Sequence, residues 1–181
     1  MSFVRIKRVK GIPYAKLVRN VWKKRKGQPR QKLVRHLGRV HIPEKSADVK
    51  ADLEGCTDYK SAVNTLMRAE LLRHGFSETS EGIFESAHVS FSMHSLKAHD
   101  KRNGKPVVLS FNNGIFCEEH LQKVFNFDPQ MEIGKQPGSV LSKIYEQAGF
   151  NAKDESCFIM LYKKSVEKEN MTLDEFKKKY L

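Results

Sequence analysis

Between residues 3 and 40, apolar and cationic side chains alternate with a period of two, and the alternation breaks twice. Val4 and Ile6 alternate with Arg5 and Lys7. Ala15, Leu17, Arg19 and Val21 form one row against Tyr14, Lys16, Val18, Asn20 and Trp22. Leu33, Arg35 and Leu37 alternate with Lys32, Val34 and His36. A period of two places successive side chains on opposite faces of an extended backbone, a pattern that a helix does not satisfy. The breaks fall at Gly11-Ile12-Pro13 and from Lys23 to Pro29, where Gly27 can take a positive φ at no steric cost. Residues 1–42 are therefore expected to form a small antiparallel β-meander.

The same segment carries a strong charge asymmetry. The first 45 residues hold fifteen Lys and Arg against a single acid, Glu44. The other 136 hold eighteen basic and twenty acidic side chains, so the formal net charge of +12 divides into +14 and −2. A cationic surface of this density is drawn to polyanions, because each phosphate neutralised by Lys or Arg releases condensed counterions from the nucleic acid. The cations expected to make such contacts are Arg5, Lys7, Arg8, Lys10, Lys16, Arg19, Lys23, Lys24, Arg25, Lys26, Arg30, Lys32, Arg35 and Arg39. Lys23 to Lys26 would form the hairpin tip, the most concentrated part of that field. Tyr14 and Trp22 fall among these cations and are candidates for stacking on unpaired bases. Against that role, a lone Trp in a small sheet more often packs a core.

Two stretches carry a family resemblance. Tyr14-Ala15-Lys16-Leu17-Val18-Arg19-Asn20, a polar turn with Gly27, and then Arg30-Gln31-Lys32-Leu33-Val34-Arg35-His36-Leu37-Gly38-Arg39-Val40 resemble the short N-terminal segment preceding the catalytic core of some DDE-type transposases. The resemblance covers about a quarter of the chain. It implies contact with nucleic acid, not chemistry, because such enzymes also need a large RNase-H-like core bearing three carboxylates. The downstream part loosely resembles uncharacterised archaeal proteins, among them small ribosome-associated ones.

After residue 42 the pattern changes. Residues 43–56, with Pro43, mixed charges and Gly55, read as a connector in which Asp48 to Glu54 could form a short helix. From Tyr59, residues Ala62, Val63, Leu66, Met67, Ala69 and Leu71 follow helical spacing, with Thr57 or Asp58 as cap and Gly75 as a left-handed terminator. Val89, Phe91 and Met93 alternate with His88, Ser90, Ser92 and His94 as a strand, and after Asn103-Gly104 the stretch Val107 to Phe111 is expected to return antiparallel to part of it. Helices are expected from Glu118 to about Phe125 and from Ser139 to about Ala148, with a short buried strand from Cys157 to Tyr162. A capping box of Thr172 and Glu175 would open a last helix. Residues 57–181 thus read as an α+β domain with a mostly antiparallel sheet and three or four helices.

Chemical motifs are sparse. Cys117 and His120 share a helical face at metal-ligand spacing, but no second close pair completes a structural zinc site. His88 and His94 lie six residues apart, roughly 20 Å along a strand and too far to share one ion, and His99 lies farther on. There is no nucleophile elbow, no phosphate-binding Gly-Lys-Ser/Thr loop, no dinucleotide fingerprint and no His-Glu-x-x-His. Gly134 to Gly138 contains Pro137, which removes an amide donor that a phosphate cradle would use. Cys56, Cys117 and Cys157 are odd in number and widely spaced, as thiols of a reducing compartment are. No run is long enough to span a bilayer, and the N-terminus lacks the apolar stretch of a secretion signal.

The reading that follows is a non-enzymatic, cytoplasmic nucleic-acid-binding protein with neither metal nor cofactor. RNA is favoured over DNA, because no base-reading motif is visible and structured RNA is held through phosphates, 2′-hydroxyls and shape, as at a ribosomal or other ribonucleoprotein surface. The alternatives are a DNA-binding accessory or relic of a mobile element, and an enzyme whose site in residues 57–181 leaves no local motif.

Overall fold

A computed structural model describes residues 2–23, 28–128, 137–151 and 155–166. The fold is α+β. Three long strands open it: β1 (Ser2–Val9), β2 (Ile12–Lys23) and β3 (Gln28–His41). Helix α1 (Tyr59–Arg73) follows, then six short strands, β4 (Ser77–Ser80), β5 (Ile83–Glu85), β6 (Val89–Ser92), β7 (Lys97–Asp100), β8 (Pro106–Phe111) and β9 (Gly114–Phe116). The helices α2 (Glu118–Phe125), α3 (Pro137–Gln147) and α4 (Glu155–Val166) come last. All nine strands belong to one sheet of order β1-β2-β3-β8-β7-β6-β5-β4, with β9 paired to β8. Every pairing is antiparallel except that of β3 with β8, which is parallel and limited to Arg39–His41 against Val107–Leu109.

The meander forms as the alternation requires, with strands longer than the sequence pattern alone marks. Gly11, at φ +80°, turns β1 into β2. The third strand departs from simple alternation. Two register shifts against β2 set Gly38 opposite Ala15 but His36 opposite Lys16, and Arg35 opposite Leu17 but Leu33 opposite Val18. Each leaves an extra residue on β3, so Leu33, Arg35 and Leu37 do not share one face. Leu37 is buried, while Arg35 and Leu33 are exposed.

Asp58 caps α1: its Oδ1 accepts from the Ser61 N–H at 2.8 Å, and Ser61 Oγ accepts from the Asp58 N–H at 3.1 Å. The other end closes as a Schellman motif, with the Phe76 N–H donating to the Leu71 carbonyl and the Gly75 N–H to that of Leu72. Helix α3 ends the same way, with the Phe150 N–H on Tyr145 and the Gly149 N–H on Glu146. The principal core lies between the helices and β5 to β9, around Phe84, Phe91, Phe111 and Phe116 from strands and Leu66, Leu71, Leu121, Leu141 and Ile159 from helices. A second cluster of Ala15, Leu37, Val40, Val108, Ile115 and Cys117 joins the meander to the remaining strands.

Several local expectations change. Residues 42–58 hold no helix. Strand β8 pairs with β7 and not with β6, because β7, too short to show a pattern of its own, is inserted between them. Cys157 to Tyr162 is helical within α4, where Ile159, Leu161 and Tyr162 face the core. A six-residue apolar run carries no periodicity that separates a buried strand from a buried helix. Residues 172–181, with their capping box, lie outside the described residues. No helix among the described residues is long and apolar enough to cross a membrane.

Candidate nucleic-acid interface

Cross-strand partners in an antiparallel ladder point to the same side of the sheet, so the registers assign each meander residue to a face. Ile6 opposes Ala15 and Val4 opposes Leu17 on one side, where Ala15, Leu37 and Val40, with Val4 and Leu17 against them, pack on the rest of the protein and Ile6 stays exposed. The opposite side carries two cationic rows across all three strands. Lys7 opposes Tyr14, which opposes Arg39; Arg5 opposes Lys16, which opposes His36. Arg5, Lys7, His36 and Arg39 are exposed and Lys16 and Tyr14 half-buried. Arg8, Lys10, Arg19, Arg30 and Lys32 are also exposed. Arg5 donates to the Gln31 side chain across the sheet.

Pairing of β1 with β2 ends at Ser2 and Arg19, whereas β2 and β3 remain paired out to Lys23 and Gln28. A two-stranded arm therefore projects past β1. Trp22 lies on it opposite Pro29 and is 63% exposed, so the only Trp of the chain does not pack a core. Among the described residues, no third strand lies alongside it beyond β1. Lys24, Arg25 and Lys26 lie outside the described residues, and Lys23 is described only as the last residue of β2. Exposed large apolar side chains of the described residues also concentrate in this segment, at Ile6, Val9, Val21, Leu33, Val34 and Ile42.

One predicted contact residue is engaged internally. Arg35 Nη2 lies 3.3 Å from Glu118 Oε2 and also pairs with Glu119 Oε1, and Lys97 Nζ lies 3.6 Å from the same Glu118 oxygen. Both acids occupy the first turn of α2, where the helix dipole favours them. The hydrogen bond that Arg35 donates to Glu119 raises its pKa above the ordinary value. This network clips β3 to α2. No sequence signal pointed to it, because its partners lie more than eighty residues apart.

Cys117 and His120 serve packing. Cys117 belongs to the second core cluster, and burial pushes its thiol up to about 12. His120 Nδ1 lies 2.9 Å from the Ile115 carbonyl, and burial holds its pKa below the ordinary imidazole value. Among the described residues, no three His, Cys, Asp or Glu side chains are placed to hold a metal ion. A small cavity of about 190 Å³ brings Cys117 near His99, Arg35 and Glu118, but His88 and His94 do not border it. His94 Nε2 instead lies 3.2 Å from the Glu81 carbonyl. His41, at the end of β3, has its pKa lowered by burial and then by the nearby His88 and Arg39 charges.

Compared with known proteins, the chain matches no family model, no curated protein and no solved structure.

Proposed function

We propose that this protein binds structured RNA through the outer face of its β-meander, acting as a binding protein and not as an enzyme. The observation that carries the reading is the paired rows Lys7, Tyr14, Arg39 and Arg5, Lys16, His36, which set four cations, Arg5, Lys7, Lys16 and Arg39, on one face of the three strands. No acid occurs before Glu44, and Arg5, Lys7, Lys16 and Arg39 have no ion-pair partner among the described residues. Such rows suit the phosphates of a folded chain, whose spacing varies, better than the base edges of one duplex sequence. Trp22, exposed on the projecting arm, supports a ligand with unpaired bases, since an aromatic face stacks on any base. The RNA can be free or part of a ribonucleoprotein surface such as the ribosome.

The test is the salt dependence of binding to a folded RNA and to duplex DNA of equal length, for the full chain and for Lys7→Ala/Lys16→Ala/Arg39→Ala. RNA binding should be steeply salt-dependent, and the triple variant should flatten the log–log slope by about two to three units. Preference for duplex DNA would replace RNA by the ligand that the transposase-like segment implies. An unchanged slope would remove the meander face as the site.

A further inference from the structure

The turn between β7 and β8 stands beside the outer face of the meander. It is closed by the Gly104 N–H on the Asp100 carbonyl at 2.8 Å and the Asp100 N–H on the Lys105 carbonyl at 2.9 Å, with Gly104 at φ +64°. It presents three cations within five residues, Lys101, Arg102 and Lys105. Lys101 Nζ is held 2.6 Å from Glu85. Arg102 and Lys105 are exposed and have no carboxylate within ion-pair distance among the described residues. By sequence these residues belong to the part of the chain that is nearly neutral; only the parallel pairing of β3 with β8 brings them to the meander.

Between the turn and the meander lies a cleft of about 450 Å³, bordered by Tyr14, His36 and Arg39 on one side and by Asn103, Lys105 and Pro106 on the other. Its volume is in the range of small-ligand sites. It brings together an aromatic ring, a cation on each wall, and the Asn103 side-chain amide, whose Oδ1 accepts from the Lys105 N–H at 2.9 Å and whose NH2 can donate. Asp100 also borders it; this acid is held within the turn, its Oδ1 accepting from the Arg102 N–H at 2.8 Å. The carboxylate opposes the two cations, which leaves the cleft cationic on balance and gives an exocyclic amine an acceptor.

We propose that this cleft receives an unpaired nucleotide of the RNA, with its base against Tyr14 and its flanking phosphates shared between Arg39 of the meander and Lys105 and Arg102 of the turn. The proposal rests on the reading of the meander as the RNA-binding face and specifies the ligand further. A base inside a continuous helix is stacked and paired and presents no free face to a cleft, so the preferred RNA has a loop, bulge or single-stranded end.

The experiment compares the full chain with Arg102→Ala/Lys105→Ala, Tyr14→Leu and Tyr14→Phe on two RNAs of equal length, a hairpin with an unpaired loop and a fully paired duplex. Wild type should prefer the hairpin. The turn variant should lose roughly ten-fold in hairpin affinity and one to two units of salt slope, with an unchanged melting temperature because both side chains are exposed. Tyr14→Leu should abolish the hairpin preference and Tyr14→Phe should retain it, since the ring and not the hydroxyl stacks. Unchanged affinity and slope in the turn variant would overturn the proposal. If Lys7→Ala/Lys16→Ala/Arg39→Ala still weakened binding, the meander reading would survive that failure. Absence of RNA binding by wild type would overturn both.

Discussion

Glu70 and Arg73 form an ion pair inside the protein, with Oε1 2.9 Å from Nη1 and side chains only 1% and 5% exposed. The same Oε1 accepts from the Asn151 N–H at 2.8 Å, and Oε2 lies 3.3 Å from Asn112 Nδ2, which also donates to the Gly149 carbonyl at 2.9 Å. Arg73 Nε in turn donates to the Val49 carbonyl in the connector. One carboxylate on α1 thereby ties together the β8–β9 turn, the end of α3 and, through Arg73, the connector that follows β3. Removing it takes from the buried Arg73 guanidinium the carboxylate 2.9 Å away and deprives Asn112 and Asn151 of an acceptor. Glu70→Ala should lower stability by about 3–5 kcal/mol. Urea denaturation checks this, and a loss below about 1 kcal/mol would mean the network contributes little.

Gly38 fixes the junction between the meander and β8. Its φ is +124°, and a Cβ there would run into the Pro106 carbonyl across the parallel pairing. Gly38→Ala should therefore cost about 1–3 kcal/mol for the backbone conformation, with the steric clash added to it. Gly11, at φ +80° with open space around a Cβ, is the control, since substitution there brings strain without a clash. Equal losses of melting temperature in the two variants would show that close approach at Gly38 does not matter.

Much of the architecture was legible because it rests on local signals. The period of two in the meander, the Asp58 cap and the Gly75 ending are each set by a few adjacent residues. What escaped depends on partners distant in sequence or on segments too short to show a period. Strands β4, β5, β7 and β9 are three or four residues long, and Ser77–Ser80 is exposed throughout, so no face marks it. The burial of Glu70 and Arg73 carries no sequence signal, because nothing nearby in sequence announces Asn112 or Asn151. Within the candidate site, the cationic residues were legible, but their division was not. Register shifts in β3 send Arg35 to α2 and leave Arg39 on the open face, and only the β3–β8 pairing adds Arg102 and Lys105.

Stability should fall on mild acidification. Burial lowers the pKa of His120 and of His41 relative to the ordinary 6.5, so the unfolded chain takes up these protons at higher pH than the folded one. Their contribution is complete above the unfolded value and is lost as pH falls from about 6.5 toward the folded values. The melting temperature should be level near pH 8 and decline below about pH 6.5, before carboxylates such as Asp58 and Glu78, whose pKa values are lowered by hydrogen bonds from Ser61 and Gly82, begin to titrate. His120→Gln should reduce that decline. An equally steep decline in the variant would assign it to other groups.

The lone Trp22 offers a direct optical test of the arm. At 63% exposure its emission should be that of a solvated indole, and Trp22→Ala should leave the melting temperature unchanged. Addition of RNA containing unpaired bases should quench the emission, and Trp22→Ala should weaken binding by about 1–3 kcal/mol. RNA binding without quenching would place the ligand elsewhere on the meander.

Arg35 separates anchoring from binding among cations that look alike in sequence. Its guanidinium faces Glu118 and Glu119, whereas Lys7 and Lys16 have no ion-pair partner among the described residues. The pairs are partly exposed, with Arg35 at 48%, so water screens them, and Arg35→Ala should cost no more than about 1 kcal/mol of stability. A side chain already neutralised by two acids releases no counterion when RNA binds, so this variant should keep the salt slope of wild type. Lys7→Ala/Lys16→Ala should do the opposite, preserving stability while lowering the slope by about one to two units. Measured together on one folded RNA, the two variants distinguish the side of the meander that holds the fold from the side that meets the ligand. A slope that fell equally in both would mean that Arg35 leaves α2 to contact phosphate.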